Sequence, residues 1–154
     1  MKDISCCFSG HRTIPAERTK ELNQRLYAEI EELYSSGIRI FRNGGALGFD
    51  MAAALVVIDL KQKYSDLQLY MDLPCRKQAS GWSKTDKAIY DYVLDKSDKM
   101  TYVSPYYYSG CMLARNRYMV DRSSCLIAFK SRGTGGTAYT VRYAASKGLR
   151  IILL

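Results

Sequence analysis

Three glycine-centred turns carry most of the chemistry available to this sequence: Ser9-Gly10-His11-Arg12, Asn43-Gly44-Gly45-Ala46-Leu47-Gly48 and Gly133-Thr134-Gly135-Gly136-Thr137. They hold seven of the eleven glycines, and each directly follows a short apolar run, so the glycines are concentrated where strands would end. A strand that ends in glycines and runs into a helix leaves unpaired N–H groups at the positive end of the helix dipole, with no Cβ in the way. Such turns are suited to holding phosphate.

In the second turn the adjacent Gly44 and Gly45 allow close backbone approach, while Gly48 lets the next helix pack tightly. It is neither GxGxxG nor a P-loop, since no Gly-Lys-Ser/Thr follows, which argues against P-loop ATP hydrolysis. Asp50 at the helix start either caps the helix or accepts hydrogen bonds from a ribose or base. The third turn offers the N–H groups of Gly135 and Gly136 and the hydroxyl of Thr137 as a second phosphate or ribose cradle, with Lys130 and Arg132 just before it. His11, the sole histidine, orients a loop or bonds a ligand, with acid–base catalysis the alternative. Arg12 suits a bidentate pair with phosphate or an ordinary salt bridge. Arg115 and Asn116 are expected to contact ligand while Arg117 faces solvent. Trp82, Tyr106, Tyr107 and Tyr108 fall in irregular segments, where a ring either stacks on a base or sugar or covers the core.

These residues need a frame. The sequence alternates strand and helix throughout, with strands expected at 4–8, 38–41, 67–73, 100–103, 124–129 and 150–154. Helices are expected from Pro15 to Gly37, 50–61, 85–94, 112–122 and 137–147, the first carrying Leu22, Leu26, Ile30 and Leu33 on one face. Strands separated by helices imply right-handed crossovers and a mainly parallel sheet of about six strands covered on both faces, an α/β Rossmann-like three-layer sandwich. In such a sheet every turn after a strand lies on one edge, so the three glycine turns are expected to converge there, with the first strand central.

The 154 residues fit one domain, 1–154. No apolar stretch approaches a membrane span, and the N-terminus lacks a signal-peptide pattern, so the expected location is cytoplasmic with no membrane partner. Five cysteines without CxxC spacing read as reduced thiols, and one histidine with no clustered cysteines leaves no metal site. The net charge of +8 is concentrated in residues 111–150, where eight Lys/Arg face one Asp. That bias favours an anionic partner, either a nucleotide in a pocket or a polyanion along a face.

The ordered set Ser9-Gly10-His11-Arg12, Gly44-Gly45-Ala46-Leu47-Gly48-Phe49-Asp50, Arg115-Asn116-Arg117-Tyr118-Met119-Val120-Asp121 and Gly135-Gly136-Thr137 with Thr140 resembles the SLOG superfamily of Rossmann-like nucleotide-binding proteins. Its YpsA-like branch is the nearest match, and Pro74, Gln78 and Trp82 resemble that branch's Pro-x-x-x-Gln-x-x-x-Trp segment. The resemblance implies a nucleotide or ADP-ribose-like ligand, no other cofactor, and a sensor or signalling role, with Thr140 among the hydrogen-bonding residues. Similarity to the DNA-processing protein A family implies the alternative of single-stranded DNA binding. Similarity to the lonely guy phosphoribohydrolases implies another, N-glycosidic or phosphate-ester hydrolysis of a nucleotide. Tyr139 and Thr140 replace the acidic pair of that family's motif, leaving Asp50 and His11 as the candidates for catalysis. A homo-oligomer is expected by analogy with other Rossmann-like domains.

Overall fold

The computed structural model describes residues 1–130 and 133–154. Six strands, β1 (Ser5–Gly10), β2 (Ile40–Asn43), β3 (Gln68–Leu73), β4 (Lys99–Tyr102), β5 (Cys125–Phe129) and β6 (Arg150–Leu153), alternate with five helices. The helices are α1 (Thr19–Ser35), α2 (Phe49–Leu60), α3 (Lys84–Lys96), α4 (Cys111–Asp121) and α5 (Gly136–Ser146). The strand order is β4-β3-β2-β1-β5-β6 with every pairing parallel, so the fold is the expected Rossmann-like three-layer sandwich. β1 is central, and the chain reverses its direction of sheet growth there: β2 pairs on one side of it and β5 on the other. A crevice therefore opens above the carboxyl end of β1.

The sheet is buried on both faces. On one side α1, α2 and α3 pack through Leu22, Leu26, Ile30, Leu33, Val57 and Val93 onto Phe8, Phe41 and Leu69. On the other, Met119 and Val120 of α4 and Ala144 of α5 pack onto Cys7, Leu126 and Ala128. All five cysteines are free and buried, and burial pushes the Cys7 thiol up to about 12. Among the described residues no helix is long and apolar enough to cross a membrane.

Element boundaries differ from the sequence expectations where capping chemistry intervenes. After Pro15 the chain first makes a 3-10 turn at Ala16–Arg18, and α1 proper begins at Thr19. At the other end Gly37 takes φ +110°, the Ile38 N–H donates to Leu33 O at 3.0 Å and the Gly37 N–H to Tyr34 O at 3.1 Å. This is a Schellman cap. It uses Ile38 to close the helix, so β2 starts two residues later than its apolar run.

Candidate functional site

The carboxyl end of β1, the turns that follow β1 and β2, and the starts of α2, α4 and α5 line one cavity of about 460 Å³. Ser9, Gly10, His11, Arg12 and Thr13 line it from the first turn, with Pro15 just beyond. Ala46 and Asp50 contribute from the second turn and α2, Met112, Leu113, Arg115 and Asn116 from α4, and Gly136 and Thr137 from α5. Segments more than 120 residues apart in sequence thus meet in one crevice. Of the sequence candidates, Gly10, His11, Arg12, Asp50, Arg115, Asn116, Gly136 and Thr137 stand in this lining.

Asn43, Gly44, Gly45, Gly48, Gly135 and Thr140 lie outside the lining, and local contacts explain the position of most of them. Asn43 is fully buried; its Nδ2 donates to Asp50 O at 2.7 Å and its Oδ1 accepts from the Gly45 N–H at 2.8 Å. The Gly45 N–H, expected from the sequence to face a ligand, is therefore engaged inside its own loop. Gly44 leaves room for Arg115: a Cβ there would fall 2.3 Å from the guanidinium, which donates to Gly44 O. Gly48, at φ +78°, is equally constrained, because a Cβ would stand 2.2 Å from Arg12 O. The Phe49 N–H donates to His11 O at 3.1 Å, so the first and second turns are bonded to each other. Gly135 precedes α5 as its N-cap.

Arg115 organises the opposite wall. Its side chain is buried, its Nε donates to Asn116 Oδ1 at 2.8 Å, and Asn116 Nδ2 donates to Thr140 Oγ1 at 3.0 Å. Thr140 in turn donates to Gly136 O at 2.8 Å. The relay Gly44–Arg115–Asn116–Thr140–Gly136 joins the β2 turn, α4 and the start of α5, which fixes the cavity's width. Burial lowers the Arg115 pKa from its ordinary value, opposed by the charges of Asp50 and Asp72.

Asp50 is the carboxylate in the lining. It is 5% exposed; Oδ2 accepts from the Ala46 N–H at 3.2 Å, and Oδ1 is buried without a hydrogen-bond partner. Burial pushes its pKa up to about 6, against the opposing pull of Arg115, the Ala46 N–H and Arg12. An orphaned carboxylate oxygen buried beside a cavity is a group whose partner the described residues do not supply.

Other expected residues stand elsewhere. Trp82 packs edge-on against Tyr90, with centroids 5.1 Å apart, and covers the core. Tyr106, Tyr107 and Tyr108 are exposed and none lines the cavity. Gln78 supports the second turn from behind, its Nε2 3.3 Å from both Gly44 O and Tyr90 Oη. Arg117 is half-buried and bonds Tyr139 Oη at 3.1 Å. Lys130 is half-buried, and Arg132 lies outside the described residues. Sequence reasoning missed Met112 and Leu113, ordinary apolar residues whose only signal was proximity to Arg115. It also missed the buried Arg42–Asp72 ion pair, 2.9 Å, which spans β2 and β3.

With this geometry in place, comparison with known proteins gives the family. A model of the YspA SLOG family matches residues 13–150. The chain belongs to that family. It is 32% identical over 137 residues to the SPbeta prophage-derived protein YoqJ of Bacillus subtilis, covering 80% of each chain. It is 28% identical over 136 residues to a UPF0398 protein of Bacillus thuringiensis, covering 84% of this chain and 70% of that one. Two solved structures share the fold. DNA processing protein A from Helicobacter pylori, described for its single-stranded DNA binding mode, gives a TM-score of 0.68 at 18% identity. The Streptococcus pneumoniae protein of that name gives 0.71 at 17%. This chain is covered to 99% in both, yet spans only 65% and 50% of their lengths.

Proposed function

We propose that this SLOG-family chain binds a nucleotide or nucleotide-derived ligand in the crevice above β1 and acts as a sensor or signalling module. The observation that carries the proposal is the meeting, in one cavity, of Arg12 and Arg115, the start of α5 at Gly136–Thr137, and the partly unsatisfied carboxylate of Asp50. The two guanidiniums and the dipole end of α5 attract an anion, and the carboxylate accepts from a polar group of the same molecule. Both demands are met by a phosphorylated nucleoside. Membership of a SLOG family supports the same choice.

Thermal unfolding against a nucleotide panel including AMP and ADP-ribose tests this. At least one member is expected to raise Tm, and Arg12→Ala, an exposed position, is expected to reduce that rise. A panel that leaves Tm unmoved refutes the proposal.

A second function, single-stranded nucleic acid binding, is supported by a different surface. Arg117 of α4, Arg142 of α5, and Arg122 and Lys147 at the ends of those helices lie among Tyr118, Tyr139 and Tyr143, with Tyr139 and Tyr143 stacked at 6.3 Å and Arg122 over the Tyr118 ring at 3.6 Å. Cations interleaved with rings suit a strand of phosphates and bases, and the fold shared with DNA processing protein A adds support. Fluorescence anisotropy with an oligo-dT probe is expected to show affinity falling roughly tenfold or more between about 50 and 200 mM salt. Absent or salt-independent binding excludes this function.

A further inference from the structure

We propose that Cys6 and Cys125 form a redox-active dithiol that closes into a disulfide between β1 and β5. The proposal is independent of the nucleotide reading, because the pair lies at the amino ends of the two strands, away from the crevice at the sheet's carboxyl edge.

Register is the first support. Cys6 and Cys125 are direct partners in the parallel β1–β5 ladder, and both belong to the core on the α1–α3 side, so their side chains leave the sheet from one face. Adjacent strands lie about 4.8 Å apart, within the Cα separation of about 4.4–6.8 Å that a disulfide spans. Cys7 does not compete for the bridge. It packs on the opposite face with Met119, Val120 and Ala144, and its register partner is Leu126.

The two thiols are loosely held and chemically unequal. The Cys6 thiol stands 3.5 Å from Cys7 O and the Cys125 thiol 3.9 Å from Ser5 O, long contacts from a weak donor, which leaves the sulfurs available to each other. Cys125 opens β5, and its register partner on the other side is the exposed Arg150 of β6. A hydrogen bond from the Cys6 thiol lowers the Cys125 pKa against burial, with the Arg150 charge assisting, whereas burial raises that of Cys6. Cys125 is 3% exposed and Cys6 0%, so a small oxidant meets Cys125 first. A thiolate-prone cysteine beside a protonated thiol is the arrangement of an attacking and a resolving sulfur.

Hydrogen peroxide is a sufficient oxidant. The Cys125 thiolate attacks one peroxide oxygen, the O–O bond breaks, and hydroxide leaves a sulfenic acid behind. The Cys6 sulfur then attacks the Cys125 sulfur, the S–O bond breaks, and the hydroxyl departs as water with the Cys6 proton. Each sulfur gives up one electron, and the peroxide takes both.

Treating the full chain with hydrogen peroxide without denaturant, alkylating the remaining thiols after unfolding and mapping peptides by mass spectrometry tests the proposal. Alkylatable thiols are expected to fall from five to three, with a dithiothreitol-sensitive link between the peptides holding Cys6 and Cys125. Cys6→Ala and Cys7→Ala each remove one fully buried sulfur; the first is expected to abolish the link within the chain and the second to leave it. Fragmentation between Cys6 and Cys7 in the wild-type spectrum assigns the sulfur even where a variant fails to fold. A wild-type chain that keeps five thiols, that oxidises to sulfinic acid or to links between chains instead, or whose link involves Cys7 overturns the proposal.

Discussion

Replacing Asp50 with Asn is expected to make the unliganded protein more stable at neutral and alkaline pH, with a magnitude that follows from the carboxyl's environment. Burial raises its pKa to about 6, about two units above a free aspartate at ~3.9, and each unit is worth ~1.4 kcal/mol. Because the native carboxyl holds its proton to higher pH than the unfolded one, the native state binds more protons between about pH 4 and pH 6. Stability is therefore lost as pH rises through that window, by about 3 kcal/mol at completion. Asparagine keeps an acceptor for the Ala46 N–H and carries no charge, so it escapes the loss. Its advantage over wild type should grow from well below ~1 kcal/mol near pH 4 to about 3 kcal/mol at pH 8. For a chain of this size the latter is a Tm difference of roughly 6 to 12 °C. Urea unfolding of both proteins from pH 4 to pH 8 measures it. A variant no more stable than wild type at pH 8, or an advantage independent of pH, would refute the assignment of Asp50 as a buried, poorly solvated carboxylate.

Gly48→Ala should cost at least about 3 kcal/mol in urea unfolding, since it combines a positive φ with a Cβ 2.2 Å from Arg12 O. Asn116→Ala should cost about 1 to 2 kcal/mol and weaken ligand binding measured by calorimetry, because it cuts the relay holding Arg115 and Thr140. Asp72→Ala should cost about 3 to 5 kcal/mol in the same unfolding assay, by leaving Arg42 buried without its partner. If Asp50 orients a water for hydrolysis, base or phosphate release from a nucleotide library should be seen with wild type and lost in Asp50→Asn; a flat time course in wild type leaves binding alone.

The architecture was legible because its signals are local and repeated. Alternating apolar strands and amphipathic helices force a parallel sheet, and that topology brings turns distant in sequence to one edge. Gly10, Arg12, Asp50, Arg115 and Gly136 were accordingly recognisable as members of one crevice. The division of labour among the glycines was not legible. Gly44 and Gly48 are set by the close approach of Arg115 and of the Arg12 carbonyl, contacts made only after β1, β2 and α4 are assembled. The Gly45 N–H is held by Asn43, in an Asx turn that an Asn before two glycines favours but that the sequence leaves in competition with a ligand contact. Trp82 was ambiguous for the same reason, since composition cannot say whether a ring near a loop turns inward.

Asp50 and Arg115 together suggest why this crevice stays open. A structural carboxylate would have both oxygens satisfied, and an apolar residue of similar volume would avoid the desolvation that raises Asp50. Retaining an ionisable group with one orphaned oxygen lowers the stability of the empty state. Any donor that reached Oδ1 in a complex would satisfy that oxygen, so the deficit would become differential affinity for ligands that carry a donor at the right place. The Arg115 relay complements this by tying α4 to the β2 turn and α5, so anion contacts at Gly136–Thr137 bear on the wall that faces Asp50. A ligand bridging the two would then stabilise the protein by more than the sum of its separate anionic and hydrogen-bond-donating fragments, and calorimetry on those fragments reads that excess directly.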